Sequence, residues 1–484
     1  MKRTLIASLL ASSALLVACN SSNDSPSKVP ATTPPAAEKS PKNVIFFLGD
    51  GMGINTLTAS RIYSVGEEGD LTIDTLPETG FVKTYSNDSQ VTDSAPSMAA
   101  YMTGVKMNNE VISMSADTKA LEPDGKTLTG KCGAANGTPA TTFLELAKAA
   151  GWGTGIVTTT RVTHATPAAT YAHVCHRDAE SDIAAQLVPG GNGFNSKLGD
   201  GMDVVLGGGK QFFLPTDAGG KRADKRDLTS ELKAKGYTVA LSRAEFDAID
   251  PSKQGKVVGL FTGSHMSYDL DRDAAKEPSL AEMTVKAINM LQKNKSGYFL
   301  MVEGGRIDHA LHDTVAKKAL QDTVAFDHAI KVAIDEVKKT DPELKNTLIV
   351  VTADHDHTLV LNGYAKRTGK TTSTNPGVLG LLRDYGDGSV AKDDDGKPFT
   401  IIGFGNGHNR VAGNRNTAVE LTDDIVSANA YAQEAVIRIN KDQGSETHGG
   451  TDVFIGATGM GADQFTGFMD NTKVFGLLRA AAGL

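Results

Sequence analysis

Short apolar runs recur along this chain, and several of them end in residues able to bind a cation or an anion. Val44-Ile45-Phe46-Phe47-Leu48 closes in Gly49-Asp50-Gly51-Met52-Gly53, a glycine-rich turn with one carboxylate. Gly155 to Thr160 is followed by Arg161-Val162-Thr163-His164-Ala165-Thr166, and Asp203 to Leu206 by Gly207-Gly208-Gly209. Tyr298 to Val302 delivers Glu303-Gly304-Gly305-Arg306-Ile307-Asp308-His309, and Thr347 to Val351 leads into Thr352-Ala353-Asp354-His355-Asp356-His357. Such runs read as strands buried on both faces. Between them Ala140 to Ala150, Pro278 to Gln292 and Thr314 to Lys339 carry apolar residues at helical spacing. Strands alternating with helices predict crossover connections and a mainly parallel sheet covered on both sides. In such sheets ligands bind beyond the carboxyl ends of the strands. Asp50, His164, Glu303, Asp308, Asp354 and His355 all fall there.

One further stretch, Val91 to Gly104, reads as a loop entering a short helix, with Pro96 in the first turn and Gly104 at the stop. Ser94 would then sit among backbone N–H groups without helical partners, where a hydroxyl can attack an electrophile whose oxygens those donors hold. Taken alone, Ser94 reads as an N-cap, the ordinary job of a serine before a helix. The rest of the chain shifts that balance. Asp308 and His312 are one helical turn apart and share a face. Asp354 and His355 are adjacent at a strand end, and His448 precedes another apolar run, Asp452 to Gly456. Zinc takes histidine nitrogen and carboxylate oxygen, whereas magnesium prefers oxygen. The inventory therefore sorts into nitrogen-containing zinc sites and one oxygen-rich site. Singly, each has an ordinary reading: Asp-His pairs occur in solvated loops, His448 reads as a loop residue, and Arg177 pairs with Asp178 or Glu180. The conjunction carries the case. His173, His176, His328, His357 and His408 are left as structural or exposed.

The N-terminus reads as a targeting segment. Lys2 and Arg3 precede an apolar run from Leu5 to Val17. Leu16-Val17-Ala18-Cys19 resembles a bacterial lipoprotein box, with 1–18 removed and Cys19 lipidated; cleavage nearby without lipidation is the alternative. Residues 19–42, rich in Ser, Pro, Thr and Ala, suit a disordered tether. Export implies an oxidising compartment, in which Cys132 and Cys175 are expected to pair. Asn20 after the lipidated cysteine favours the outer membrane under Gram-negative sorting rules, placing the protein at a periplasmic membrane face. A formal charge of -8 supplies no basic excess for general nucleic-acid binding. The catalytic domain is expected over 43–484, with an insertion at about 361–444 that is rich in Gly, Asn, Asp and Thr.

Phe46 to Gly53, Asp93-Ser94-Ala95, Val302 to His309, Thr352 to His355 and Glu446 to Gly450 together resemble alkaline phosphatases, in the same order and over nearly everything after Lys42. The resemblance implies an α/β fold of three layers, α/β/α, with a mainly parallel central sheet and a small crown-like insertion. It implies hydrolysis of phosphate monoesters through a phosphoserine on Ser94. Asp308, His312 and His448 would form one zinc site; Asp50, Ser94, Asp354 and His355 a second; Asp50, Thr166 and Glu303 a magnesium site. Arg177 matches the arginine that clamps two phosphate oxygens. His164 and His309 stand where a familiar bacterial member has Asp and Lys, as in vertebrate members, and are expected near bound phosphate. Thr262 falls where the calcium site of vertebrate members has an acidic ligand. A homodimer is expected from the family alone.

Two rival classes stay open at this stage. One is another hydrolase of the superfamily, such as a phosphodiesterase, sulfatase or phosphonate hydrolase. Ser94-Ala95-Pro96-Ser97-Met98 has the proline of a sulfatase pattern but lacks its arginine. The other is a tethered phosphate- or metal-binding protein without turnover.

Overall fold

The computed structural model describes residues 42–484 apart from 124–131, 134, 254 and 441–443. The expected signal peptide, Cys19 and all of the tether except Lys42 lie outside the described residues. Eight strands lead the chain: β1 (Lys42–Gly49), β2 (Glu78–Lys83), β3 (Gly153–Arg161), β4 (Val204–Gly208), β5 (Tyr237–Ala240), β6 (Lys256–Leu260), β7 (Gly297–Gly304) and β8 (Thr347–Ala353). Five short ones follow, β9 (Asp356–His357), β10 (Leu359–Leu361), β11 (Ile402–Gly407), β12 (Ala435–Arg438) and β13 (His448–Gly449), and then β14 (Val453–Gly459) and β15 (Gly467–Asp470).

Ten of these strands form one sheet in the order β15-β2-β14-β8-β1-β7-β3-β4-β6-β5. From β8 through to β5 every neighbouring pair is parallel. Strand β14 runs antiparallel to both β8 and β2. The apolar runs were legible because central parallel strands have both faces covered. Two adjacent residues of β1 show this directly. The Phe46 ring lies 5.7 Å from Tyr101 in the helix Ser94–Thr103, and the Phe47 ring 5.9 Å from Phe326 in the helix Ala316–Lys338. Successive side chains leave a strand on opposite faces, so these two helices belong to opposite layers.

The helix starts are well marked. Ser279 caps the helix Leu280–Leu291 through a reciprocal capping box with Glu282, and Thr142 with Glu145 does the same for Phe143–Ala149. A separate small sheet, β10-β11-β12, spans Leu359 to Arg438, so that β11 and β12 fall within the expected insertion and β10 lies at its start. Cys132 and Cys175 form a disulfide with their Cα atoms 5.5 Å apart.

Candidate active site

Register brings the chemistry together. Leu48 of β1 lies opposite Glu303 of β7 and Thr352 of β8, while Glu303 lies opposite Thr158 of β3. The carboxyl ends of β8, β1, β7 and β3 therefore finish level, and Asp354, Asp50 and Glu303 emerge side by side. All three are fully buried, and Asp308 is nearly so. The turn after β1 must be glycine-rich because space is short: Gly51 has φ +66° and a Cβ there would stand 2.6 Å from the His357 ring.

Ser94 opens the helix Ser94–Thr103, but it is not the cap. Asp93 is the N-cap, its carboxylate accepting from the Ala95 N–H at 2.8 Å. That frees the Ser94 hydroxyl to face inward, where Oγ lies 3.2 Å from His355 Nε2 and 3.4 Å from Asp50 Oδ1. His355 Nε2 is in turn 3.4 Å from Asp50 Oδ1 and 3.6 Å from Asp354 Oδ2. Beside this group Asp308 Oδ1 lies 3.3 Å from His312 Nε2 and 3.6 Å from His448 Nε2, and the two Nε2 atoms are 3.2 Å apart.

These separations fit a cation. Ligand atoms held about 2.0–2.2 Å from a tetrahedral ion stand about 3.3–3.6 Å from one another. The ring orientations agree. His312 Nδ1 donates to the Glu446 carbonyl at 2.5 Å, His448 Nδ1 to the Thr92 carbonyl at 2.8 Å and His355 Nδ1 to the Asp356 carbonyl at 3.2 Å. With Nδ1 carrying the proton, each Nε2 turns a lone pair on the cluster. Among the described residues, neither Asp354 Oδ2 nor Glu303 Oε1 has a hydrogen-bond partner, although both are buried. Burial first, and then the neighbouring Asp354, Asp308 and Glu303, push the Asp50 carboxyl well up. Burial likewise moves Glu303 up to about 7 against the hydrogen bonds from Thr158 and Thr160. Crowded carboxylates of this kind are eased by divalent charge.

Among the described residues three sets have ligand atoms within 4.8 Å of one another: Asp308, His312, His357 and His448; Asp50, Asp308 and His355; and Asp50, His164 and Glu303. The first contains every residue anticipated for one zinc site and adds His357, a correction to its expected role as a structural or exposed residue. His357 Nε2 is 2.8 Å from Asp308 and Nδ1 is 2.6 Å from Glu446. Burial pushes this imidazole down, but those two carboxylates overcome it and carry it up to about 10. A signal existed: His355 and His357 are two residues apart, so an extended backbone directs both to one side. The third set adds His164 to two expected magnesium ligands. Thr166, the other one, has Oγ1 3.5 Å from Asp50 Oδ2.

Arg177 does not pair with Asp178 or Glu180. Its Nη1 donates to Asp93 Oδ1 at 2.9 Å and its Nη2 to His164 Nε2 at 3.0 Å. Asp93 thus holds both the start of the Ser94 helix and the guanidinium. Glu110 braces them through its backbone, donating N–H to Asp93 and accepting from the Arg177 N–H at 2.8 Å, at a φ of +71°. His164 and His309 stand together, ring centroids 5.5 Å apart, with both Nδ1 atoms buried and without a hydrogen-bond partner among the described residues. Burial holds His309 down at about 3 and His164 well below the usual histidine range, with Arg177 adding to the latter. Thr262 donates to the Ser264 carbonyl.

A buried hydroxyl inside a set of cation ligands, with an arginine fixed beside it, is the equipment of a metal-dependent hydrolase acting on a small polyanionic group. The family model for alkaline phosphatase matches residues 41–484. The tissue-nonspecific alkaline phosphatase of Rattus norvegicus is 38% identical over 455 residues, covering 86% of this chain and 79% of that one. Among solved structures, the Thermus thermophilus alkaline phosphatase superposes with a TM-score of 0.64 at 25% identity, covering 92% of each chain. The cold-active enzyme of a psychrophilic Shewanella gives 0.61 at 26%, covering 91% of this chain and 99% of that one. This chain belongs to the alkaline phosphatase family and is a phosphoric monoester hydrolase.

Proposed function

We propose that this chain hydrolyses phosphate monoesters by double displacement at Ser94, and one observation carries the reading. The Ser94 hydroxyl stands 3.2 Å from His355 Nε2 and 3.4 Å from Asp50 Oδ1, inside the ligand set rather than at its rim. The donor chemistry favours zinc at Asp308, His312 and His448, zinc at Asp50, Asp354 and His355 with Ser94, and magnesium at Asp50, Thr166 and Glu303. When bound, these cations supply Lewis acidity to the Ser94 hydroxyl, the leaving oxygen and the water of the second step.

In the first step Ser94 Oγ loses its proton and attacks phosphorus, the ester P–O bond breaks, and the alcohol leaves carrying a proton. In the second, water attacks the phosphoserine, the P–Oγ bond breaks, and inorganic phosphate departs as Ser94 regains its proton. Arg177 is oriented by Asp93 and His164 through one N–H of each terminal nitrogen, which leaves further donors for two phosphoryl oxygens. His164 and His309, kept neutral by burial, offer neutral N–H donors near the same oxygens. A terminal dianion suits this arrangement, and a diester does not.

The targeting features belong to the same proposal: export, lipidation at Cys19, attachment to a periplasmic membrane face, most naturally the outer membrane, and assembly as a homodimer. A mass increment on Cys19 in the mature protein and its partition into detergent test the anchor, and sedimentation tests the dimer.

Hydrolysis of p-nitrophenyl phosphate at alkaline pH, beside the bis-ester and the sulfate, tests the chemistry. Release from the monoester, abolished by chelation and restored by zinc with magnesium, is expected. Preference for the bis-ester or sulfate would overturn the substrate class, and phosphate binding with no turnover would make this a binding protein.

A further inference from the structure

Beside the phosphate-facing pair stands a third histidine to which the mechanism gives no task. His265, in the loop after β6, has its ring centroid 4.1 Å from that of His309 and 5.3 Å from that of His164. The loop is tied to β3 by a hydrogen bond from the Met266 N–H to the Thr159 carbonyl at 2.9 Å. His265 Nε2 is bonded to Arg161 Nη1. Arg161, the last residue of β3, is itself fixed by Glu180 on two edges, Nε to Oε2 at 2.7 Å and Nη2 to Oε1 at 2.7 Å. Thr163 Oγ1 adds a donor to Glu180 Oε2 at 2.6 Å.

Arginine has donors only, so Nε2 of His265 must be the acceptor and its proton must sit on Nδ1. The tautomer and ring plane of His265 are thereby set by an ion pair anchored outside the phosphate site. Among the described residues His309 Nδ1 has no hydrogen-bond partner. What limits its rotation includes the ring packed against it, and that ring is His265.

We propose that His265 is a positioning residue of this enzyme, which passes the fixed orientation of the Arg161–Glu180 pair to His309 by ring contact and so sets the affinity for phosphate. The proposal rests on the reading of His309 as phosphate-facing and deepens it. Misplacing an oriented donor is costly, so loss of the contact should weaken phosphate binding by roughly tenfold. The first step at Ser94 should be touched less, because the ring contacts of His265 are with His309 and His164 and its hydrogen bond is with Arg161.

The test is a double-mutant cycle on the full mature protein loaded with zinc and magnesium. The competitive inhibition constant of inorganic phosphate is measured for wild type, His265→Ala, His309→Ala and the double variant, with metal content and thermal midpoint measured alongside. We expect His265→Ala to raise the constant with metal content unchanged, and the double variant to be no worse than His309→Ala. Arg161→Ala should reproduce His265→Ala, and His265→Gln, whose amide oxygen can still accept from Arg161, should recover part of the loss. An unchanged constant in His265→Ala, or effects of the two alanines that multiply, would overturn the proposal while leaving His309 in place. An unchanged constant in His309→Ala alone would remove the reading on which the proposal rests, and the proposal with it.

Discussion

At Arg177 the geometry separates a point charge from a fork. Its guanidinium is gripped by Asp93 at 2.9 Å and by His164 at 3.0 Å, so its plane is fixed before substrate arrives. Lysine would keep the charge and lose the paired donors. Arg177→Lys should lower kcat/KM for a monoester by roughly 10- to 100-fold, the loss of about 1.5–3 kcal/mol from charge-assisted bonds, while zinc content stays unchanged; steady-state kinetics with metal analysis decide it. A second residue bears on stability alone. Asp322 is 5% exposed in the helix Ala316–Lys338, accepts from the Asp269 N–H at 3.2 Å, and is pushed up to about 8 by burial first and the Asp269 carboxylate second. A carboxyl raised on folding favours the fold below its unfolded value near 4, and that contribution is lost as pH climbs to about 8. Asp322→Asn should therefore gain on wild type by about 3 kcal/mol between pH 6 and 9 and little further above that. Chemical denaturation at fixed metal concentration would show it, and a pH-independent difference would count against it.

At the scale of elements, the helix Ser94–Thr103 shows how far sequence carries and where it stops. Its bounds were readable from Pro96 and Gly104, because fixed φ and a left-handed stop are local properties. Its cap was not, since Asp93 and Ser94 are both good caps and only the neighbouring elements decide between them. Asp93 wins because its carboxylate also meets Arg177 and the Glu110 N–H. Asp93→Ala should lose about 1 kcal/mol of stability with the cap and should also raise KM, because Arg177 loses its anchor; a change in stability alone would argue against the coupling. The main strands were legible for a similar reason. Continuous apolar runs betray burial on both faces, whereas β2 and β15 are partly exposed and pair through contacts set far along the chain. His357 carries only its two-residue spacing from His355 as a local mark, and His265 carries none. The first is defined by Asp308 and Glu446, the second by Arg161 and His309, and those meetings are made by register and loop closure.

For the whole molecule, the price of gathering four carboxylates at the ends of parallel strands is electrostatic. Asp50, Glu303 and Asp354 are fully buried and Asp308 is 4% exposed. Cations bound only to the folded state stabilise it by mass action, about 4 kcal/mol at a thousandfold excess over Kd. Removing them should lower the thermal midpoint as well as the rate. The loss should deepen as pH rises toward about 7, because Glu303, raised by burial to about 7, favours the metal-free fold only while protonated. A chelated protein with an unchanged midpoint at pH 8 would contradict this. The covalent step at Ser94 is read out by acid quenching during turnover of a monoester, followed by peptide mapping of the trapped phosphoryl group. Phosphate is expected on Ser94 and none in Ser94→Ala, which should keep its metals yet lose at least about a thousandfold in kcat. Phosphate trapped on another residue, or near-normal turnover by Ser94→Ala, would contradict it.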